Sequence, residues 1–240
     1  MTLKNRIICL VFILSYTPFG SFVLFSQDNG QDFQAQRNVM MRSIIETQSV
    51  QEASILEAFS SVPRHLFLPE IVRDMAYHDI TVPLGTGAVL PAPSTYVEIL
   101  ASSDIDEDSK ILIIGSAAGY FTGLVQTITE NVYLFEEQLE NVPNTASVFN
   151  ELGYSDIVIR DLLDQTAWRE FAPYTHIFVH GSIDRIPWFL LNLLTDRQGR
   201  IIAPLQAGSG FQLIISFQRS GRRQSIQAVS QGFFPSITLP

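Results

Sequence analysis

The sequence is poor in residue types that several common chemistries require. It contains a single cysteine, Cys9, which lies in the hydrophobic stretch at the N-terminus. If that stretch is removed, no cysteine remains, which excludes disulfide bonds, thiol catalysis and cysteine-ligated metals. Basic residues number 15 against 24 acidic ones, giving a formal net charge of -9. A nucleic-acid partner is not expected, because such partners require a basic face.

Several catalytic and binding motifs are missing as well. No glycine loop is followed by Gly-Lys-Ser/Thr, and no Gly-x-Ser-x-Gly nucleophile turn occurs. His176 and His180 are four residues apart, which would suit a metal only on a helix. The residues between them, Ile177–Val179, indicate a strand, on which that spacing separates the histidines by roughly 13 Å. No metal site is expected.

The N-terminus has the pattern of an export segment. Lys4 and Arg6 precede an uncharged, hydrophobic stretch from Ile7 to Gln27. A basic start followed by such a stretch predicts a signal peptide or an N-terminal membrane anchor over residues 1–26, and the pattern leaves both alternatives open. The expected location is therefore periplasmic or extracellular. Any membrane contact is expected through this segment alone.

The rest of the chain indicates one α/β domain over residues 38–240, preceded by a polar linker over 27–37. Apolar spacing predicts two helices between Val39 and Ala58, and prolines then mark an irregular segment. From Lys110 onward, apolar strands alternate with helices, which predicts a mostly parallel sheet. Gly221 predicts an antiparallel hairpin at the end. The predicted strands are Ile111–Ile114, Asn131–Phe135, Ile157–Arg160, His176–Val179, Arg200–Ala203, Gln212–Phe217 and Gln224–Val229.

The most informative segment runs from Lys110 to Thr122. Four apolar residues predict a buried strand, Gly115 and Gly119 form a turn, and a helix follows. A strand, a glycine turn and a helix N-terminus together form a nucleotide cradle, because glycine admits close backbone approach and the helix start offers free N–H groups. A nicotinamide fingerprint is not met, since its other glycine positions hold Ala117 and Tyr120.

Seven segments follow one another in a recognisable order along the chain. They are Ser61–Pro69, Ala76–Asp79, Val82–Gly87, Ala172–Tyr174, Arg185–Pro187, Gly199–Pro204 and Gly232–Ser236. As an ordered set, these segments resemble those of the protein-L-isoaspartate O-methyltransferases. This resemblance implies a Rossmann-like, S-adenosylmethionine-dependent methyltransferase fold with a helical N-terminal lead. It also implies methyl transfer from S-adenosylmethionine to isoaspartyl carboxylates in damaged proteins, with isoaspartyl-containing peptides or proteins as partners.

The resemblance also implies a set of cofactor-binding residues. Glu136 follows Gly115 by 21 residues and comes directly after the next predicted strand, which suits a carboxylate that binds ribose hydroxyls. Two family features are missing: the acidic residue before the turn is Ile113, and the middle glycine is Ala117. The residues expected at the cofactor are Gly115, Ser116, Gly119, Glu136 and Asp164, the last shifted by one position from the family's acidic residue.

The loop that meets the acceptor carboxylate in this family departs further. The position of the family's serine is Pro91, which has neither a hydroxyl nor an N–H to donate. Thr86, Ser94 and Asp79 lie nearby in the sequence, but neither hydroxyl falls on the matching position. We expect Thr86 to be a turn residue and Ser94 to be a helix N-cap. No intact catalytic residue is predicted.

Two functional hypotheses follow. In the first, the protein is an isoaspartyl methyltransferase whose activity is weak or lost. In the second, it is an exported, catalytically inactive family member, a pseudoenzyme that binds peptides or a partner protein through the former substrate groove.

Overall fold

The computed structural model describes residues 32–48, 50–85, 87–137, 142–208 and 212–239. The predicted export segment over 1–26 lies outside these residues. Helix α1 (Phe33–Gln48) begins earlier than expected, so the linker predicted over 27–37 extends too far. The helix starts there because the carboxylate of Asp32 accepts the N–H of Ala35 at 2.9 Å, as an N-terminal cap does. Among the described residues, no helix combines the length and apolar character needed to cross a bilayer.

A helical and irregular lead precedes the sheet. Helix α2 (Ala53–Ser61) is followed by two short 3-10 helices, Arg64–Phe67 and Glu70–Met75. The short strands β1 (Val82–Pro83) and β2 (Val89–Leu90) then pair in an antiparallel ribbon. Helix α3 (Pro93–Ala101) completes the lead and begins with a proline. Proline suits this position because the N–H groups of the first helical turn have no partner within the helix.

The main sheet has seven strands in the order β5-β4-β3-β6-β7-β8-β9. The first five of these are parallel, and β8 and β9 add an antiparallel hairpin. The predicted fold is thereby confirmed. The strands are β3 (Ile111–Gly115), β4 (Val132–Glu136), β5 (Val158–Asp161), β6 (His176–His180), β7 (Gly199–Gln206), β8 (Gln212–Ser220) and β9 (Arg223–Gln231). The helices between them are α4 (Gly119–Gln126), α5 (Val142–Glu151), α6 (Gln165–Glu170) and α7 (Trp188–Leu193).

The side chains of the central strands pack into two separate hydrophobic clusters. Ile111 and Ile113 belong to one cluster, and Leu112 and Ile114 belong to the other. Alternate residues of a strand point to opposite faces, so a strand covered on both faces needs an unbroken apolar run. This explains why Ile111–Ile114 contains no polar residue.

The strand order reverses between β3 and β6. From β3 the chain proceeds to β4 and β5 on one side, whereas β6 and β7 lie on the other. At the carboxyl end of this junction Gly115 pairs with His180. Open α/β sheets bind ligands outside the carboxyl ends of their strands at such a reversal. The fold therefore places the candidate site at Gly115, the turn that follows it, and His180.

Candidate functional site

The two glycines of the turn are required by contacts within the protein. A Cβ atom at Gly115 would lie 2.2 Å from the carbonyl oxygen of His180, so the strands can approach only with glycine there. A Cβ atom at Gly119 would lie 2.7 Å from Cγ2 of Thr145 on α5. Both distances are shorter than real side-chain contacts. The glycine pattern that predicted a nucleotide cradle is thus explained by packing, whether or not a ligand binds.

Ser116 and His180 exchange hydrogen bonds across the strand reversal. The N–H of Ser116 donates to the carbonyl oxygen of His180 at 3.2 Å, and Nδ1 of His180 donates to the carbonyl oxygen of Ser116 at 2.9 Å. Because a carbonyl only accepts, the proton is on Nδ1, and Nε2 accepts the hydroxyl of Tyr96 at 2.7 Å. Burial lowers the pKa of His180 to about 4, so the ring is neutral at pH 7.

The carboxylate of Glu136 lies against the same turn. The side chain ends β4, is 3% exposed, and accepts the N–H of Ala117 through Oε1 at 3.1 Å. Ala117 has a left-handed backbone with a φ of 55°, a conformation that alanine adopts at a cost. The hydrogen bond helps to hold that conformation.

The residues around the turn offer little else that is polar. Ile113 is completely buried in the core, where it replaces the acidic residue of the family pattern. The N-cap residue of helix α4 is Ala118, which provides no side-chain cap. Within the described residues, Oγ of Ser116 and the hydroxyl of Tyr120 are buried without a hydrogen-bond partner. The structure therefore brings Gly115, Ser116, Gly119 and Glu136 together, as predicted, but in a turn whose polar groups mostly satisfy one another.

Asp164, the fifth residue expected at the cofactor, has a structural explanation. Its carboxylate caps α6 by accepting the N–H groups of Thr166 and Ala167, both at 3.2 Å, and the hydroxyl of Thr166 at 2.6 Å. These hydrogen bonds, the one from the Thr166 hydroxyl first, lower the pKa of Asp164. Leu163, directly before Asp164, is exposed as well, with 71% of its surface accessible.

Pro91, at the family's serine position, is held by a buried arginine. Nη2 of Arg64 donates to the carbonyl oxygen of Pro91 at 2.8 Å. The Arg64 guanidinium carbon also lies 5.1 Å from the centre of the Tyr120 ring, at the start of α4. Burial lowers the pKa of Arg64, and its Nε and Nη1 have no partner among the described residues. Arg64 therefore connects the acceptor loop to the first turn of α4.

The cap at the start of α3 is supplied by Asp79 and not by Ser94. The N-cap of α3 is Ala92, and Ser94 lies inside the first turn, so the predicted N-cap at Ser94 is wrong. The backbone N–H of Ser94 instead donates to Oδ1 of Asp79 at 2.9 Å. The cap is supplied from 15 residues earlier in the chain, which local sequence signals cannot show. Thr86 lies outside the described residues.

The two histidines of β6 have separate partners. His176, at the amino end of the strand, donates from Nε2 to the carbonyl oxygen of Ser103 at 2.8 Å, and burial lowers its pKa to about 4. His180 belongs to the turn network described above. In the described ranges no three residues of the metal-binding types come together. Sequence reasoning considered His180 only as a metal ligand. Its position at the carboxyl end of β6, paired with Gly115, accounts for the contacts that it makes.

The geometry first defines a class. An open sheet with a strand reversal, a glycine turn leading into a helix, and a carboxylate at the end of the next strand define a Rossmann-like nucleotide-binding fold. The family model described as protein-L-isoaspartate(D-aspartate) O-methyltransferase matches residues 35–238. The chain therefore belongs to this family of methyltransferases.

Individual relatives agree with this assignment. Protein-L-isoaspartate O-methyltransferase 2 of Shewanella sediminis is 24% identical over 228 residues, covering 92% of this chain and 93% of the relative. The enzyme of that family from Syntrophus aciditrophicus is 31% identical over 173 residues, covering 72% of this chain and 79% of the relative.

Two solved structures share the fold. One, a protein-L-isoaspartate O-methyltransferase, has a TM-score of 0.70 at 20% identity and covers 84% of this chain and 66% of that one. The other is a putative member from Plasmodium falciparum in complex with S-adenosyl-L-homocysteine. It has a TM-score of 0.71 at 17% identity and covers 84% of this chain and 98% of that one.

Proposed function

We propose that this protein is a divergent isoaspartyl methyltransferase in which methyl transfer from S-adenosylmethionine to isoaspartyl carboxylates is weak or lost. One observation carries the proposal: the acceptor-loop position of the family's serine is Pro91, and its carbonyl group is tied to Arg64. Proline has no hydroxyl and no N–H, so it cannot donate to a carboxylate. Methyl transfer depends on holding the two reactants in line, and a loop without this donor holds the acceptor poorly.

The cofactor site fits S-adenosylmethionine only in part. Its position at the carboxyl edge and the carboxylate of Glu136 suit a nucleoside, whose ribose presents two hydroxyl donors. The family assignment, together with the S-adenosyl-L-homocysteine in the Plasmodium falciparum structure, supports the same class of ligand. When bound, this cofactor supplies an activated methyl group. Ile113 provides no charge for its amino-acid end, which is a second reason to expect low activity.

The proposal is tested by methyl transfer from radiolabelled S-adenosylmethionine to an isoaspartyl peptide, with the aspartyl peptide as a blank. We expect a rate at least about a hundredfold below that of the Syntrophus aciditrophicus relative assayed in parallel, a loss of roughly 2.7 kcal/mol in transition-state stabilisation. The variant Pro91→Ser should recover part of that loss, because it restores a hydroxyl at the loop. A rate equal to that of the relative would contradict the proposal.

A second candidate is supported by exposed apolar side chains in the segment that precedes the acceptor loop in the chain. Ile71 is 90% exposed, and Met75 and Ile80 are also accessible. Ile80 directly follows Asp79, whose carboxylate holds the start of α3. Apolar side chains grouped at a surface mark sites where peptides or proteins bind. This arrangement suits an inactive family member that binds an apolar peptide segment without modifying it.

Binding and location test this second candidate. A pull-down with isoaspartyl and aspartyl forms of one apolar peptide should show equal binding to the wild type and weaker binding to Ile71→Ser. Export, which the basic and hydrophobic N-terminus supports, is tested by fusing alkaline phosphatase after residue 37. Phosphatase activity requires an oxidising compartment, so an inactive fusion would contradict export.

A further inference from the structure

We infer that the site takes a nucleoside without an amino-acid tail, such as 5′-methylthioadenosine or adenosine, as readily as it takes S-adenosylmethionine or S-adenosylhomocysteine. This inference rests on the proposed function for the class of ligand at this edge of the sheet. It goes beyond that proposal by assigning recognition to the nucleoside part of the ligand alone.

The nucleoside end has a carboxylate and an apolar surface next to each other. Glu136 ends β4, and its backbone carbonyl accepts the N–H of Leu162 at 3.0 Å, which brings the chain after β5 beside it. Leu163 follows directly and is largely exposed. A carboxylate can accept ribose hydroxyls, and an exposed leucine side chain can cover the face of a base. Both features are independent of what lies on the other side of the turn.

The carboxylate of an amino-acid tail would need hydrogen-bond donors, and the turn has already used two of them. The N–H of Ser116 donates to the carbonyl oxygen of His180, and the N–H of Ala117 donates to Glu136. A ligand could take these donors only by breaking bonds inside the protein. The exchange would leave the acceptors of those bonds without partners, so the ligand would gain little from it.

The ammonium group of the tail would need acceptors, and two that the turn would be expected to offer are used or missing. The carbonyl oxygen of Ser116 accepts Nδ1–H of His180, and residue 113 is a buried isoleucine. Besides Glu136, which is assigned to the ribose, a buried cation lies near the start of α4: the Arg64 guanidinium lies over the ring of Tyr120, in the first turn of that helix. An ammonium placed beside the turn would therefore meet a like charge and no carboxylate at position 113.

Calorimetric titration with four ligands tests the inference on the wild-type protein. The ligands are 5′-methylthioadenosine, adenosine, S-adenosylhomocysteine and S-adenosylmethionine. We expect the dissociation constants of 5′-methylthioadenosine and S-adenosylhomocysteine to agree within about threefold. Binding of S-adenosylhomocysteine about tenfold tighter than that of 5′-methylthioadenosine would overturn the inference. So would the absence of 5′-methylthioadenosine binding at about 5 mM.

Two histidine variants test the cause. His180→Ala frees the carbonyl oxygen of Ser116 and removes the ring beside the turn, so S-adenosylhomocysteine should gain at least about fivefold in affinity relative to 5′-methylthioadenosine. His176→Ala is the matched control, because it removes an equally buried histidine from the opposite end of β6 and should leave that ratio unchanged. An unchanged ratio in His180→Ala would overturn the role given to the turn. Circular dichroism and thermal melts confirm that both variants are folded before titration.

The variant Glu136→Gln tests the nucleoside end. It keeps the shape of the side chain but removes the charge, and should weaken all four ligands by a similar factor of about ten. Loss of S-adenosylhomocysteine binding with 5′-methylthioadenosine unaffected would overturn the inference. The outcome is separate from that of the proposed function, since methyl transfer is measured on an isoaspartyl peptide and the affinity ratio is measured without one. Fast methyl transfer together with similar affinities for 5′-methylthioadenosine and S-adenosylhomocysteine would refute the proposed loss of activity and support the inference on nucleoside binding.

Discussion

Nδ1 of His180 donates to the carbonyl oxygen of Ser116 at 2.9 Å, while the N–H of Ser116 donates to the carbonyl oxygen of His180 at 3.2 Å. This reciprocal pair joins the end of β6 to the turn after β3 at the strand reversal. The hydroxyl of Tyr96 completes the network by donating to Nε2 of His180. Fully bonded polar groups in a buried site fix one arrangement, because breaking any of these bonds leaves a buried group unpaired.

The two buried histidines should make stability depend on pH. Burial lowers the pKa of His176 and of His180 from 6.5 to about 4, so each binds its proton more weakly in the folded state than in the unfolded state. Their contribution to stability is complete above pH 6.5 and is lost as the pH falls toward 4. Between pH 7.5 and 5 each should account for a loss of about 2 kcal/mol in the free energy of unfolding.

Urea unfolding at both pH values measures this effect. Carboxylates also titrate in the acidic range, so the comparison is between the wild type and the variants His176→Gln and His180→Gln. Each variant should show a pH dependence smaller by about 2 kcal/mol. If the wild type and both variants lose the same free energy between pH 7.5 and 5, neither histidine is buried in the neutral form.

Gly119 and Thr145 should be energetically coupled. Alanine at position 119 places a methyl group 2.7 Å from Cγ2 of Thr145, so Gly119→Ala should lower the free energy of unfolding by about 1–3 kcal/mol. Thr145→Ala removes the atom that is in the way, and the double variant should recover about 1 kcal/mol or more of the loss. Chemical unfolding of the four proteins gives the coupling energy. Additive effects would show that α4 and α5 are not in contact there.

Ala117→Gly should leave the fold unchanged or stabilise it by up to about 1 kcal/mol. The left-handed backbone at residue 117 costs alanine about 1–2 kcal/mol, whereas glycine adopts it without strain and loses only about 0.5–1 kcal/mol in conformational entropy. The matched control is Ala118→Gly, where φ is -80° and alanine is unstrained. That variant should be destabilised, and equal losses in the two variants would refute the strain at position 117.

Asp79→Ala should destabilise the protein by about 1 kcal/mol, because the start of α3 loses the carboxylate that accepts the Ser94 N–H. Ser94→Ala should change the free energy of unfolding by less than about 0.5 kcal/mol, since the backbone of Ser94 makes the bond. Thermal unfolding of the two variants distinguishes these contributions. A larger loss of stability in Ser94→Ala than in Asp79→Ala would show that the serine side chain is the cap.

Much of the fold could be predicted from the sequence because the signals are local. Ile111–Ile114 is an apolar run between Lys110 and Gly115, and the glycine marks the turn that follows the strand. The antiparallel hairpin was indicated by Gly221 between two strand patterns, and β8 and β9 pair across it. The start of α1 was placed too late, because residues 34–38 are mostly polar and give little helical pattern, and the cap at Asp32 was not recognised.

The site could be predicted only as a set of positions. The sequence placed Gly115, Gly119 and Glu136 at one edge of the sheet, and the structure brings them there. It gave no indication that the carboxylate of Glu136 would bond to the turn itself, because that bond depends on how two strand ends meet. The importance of His180 was missed for the same reason.

By itself, the sequence determined the family, the order of strands and helices, and the loss of a hydroxyl at Pro91 and of a carboxylate at Ile113. These depend on residue identity and on periodicity over a few positions. The tertiary structure decided which polar groups satisfy each other, through contacts such as Arg64 with Pro91 and Ser116 with His180. Residues so far apart in the chain meet only when the sheet and helices pack, so the state of the ligand site is a property of the packed fold.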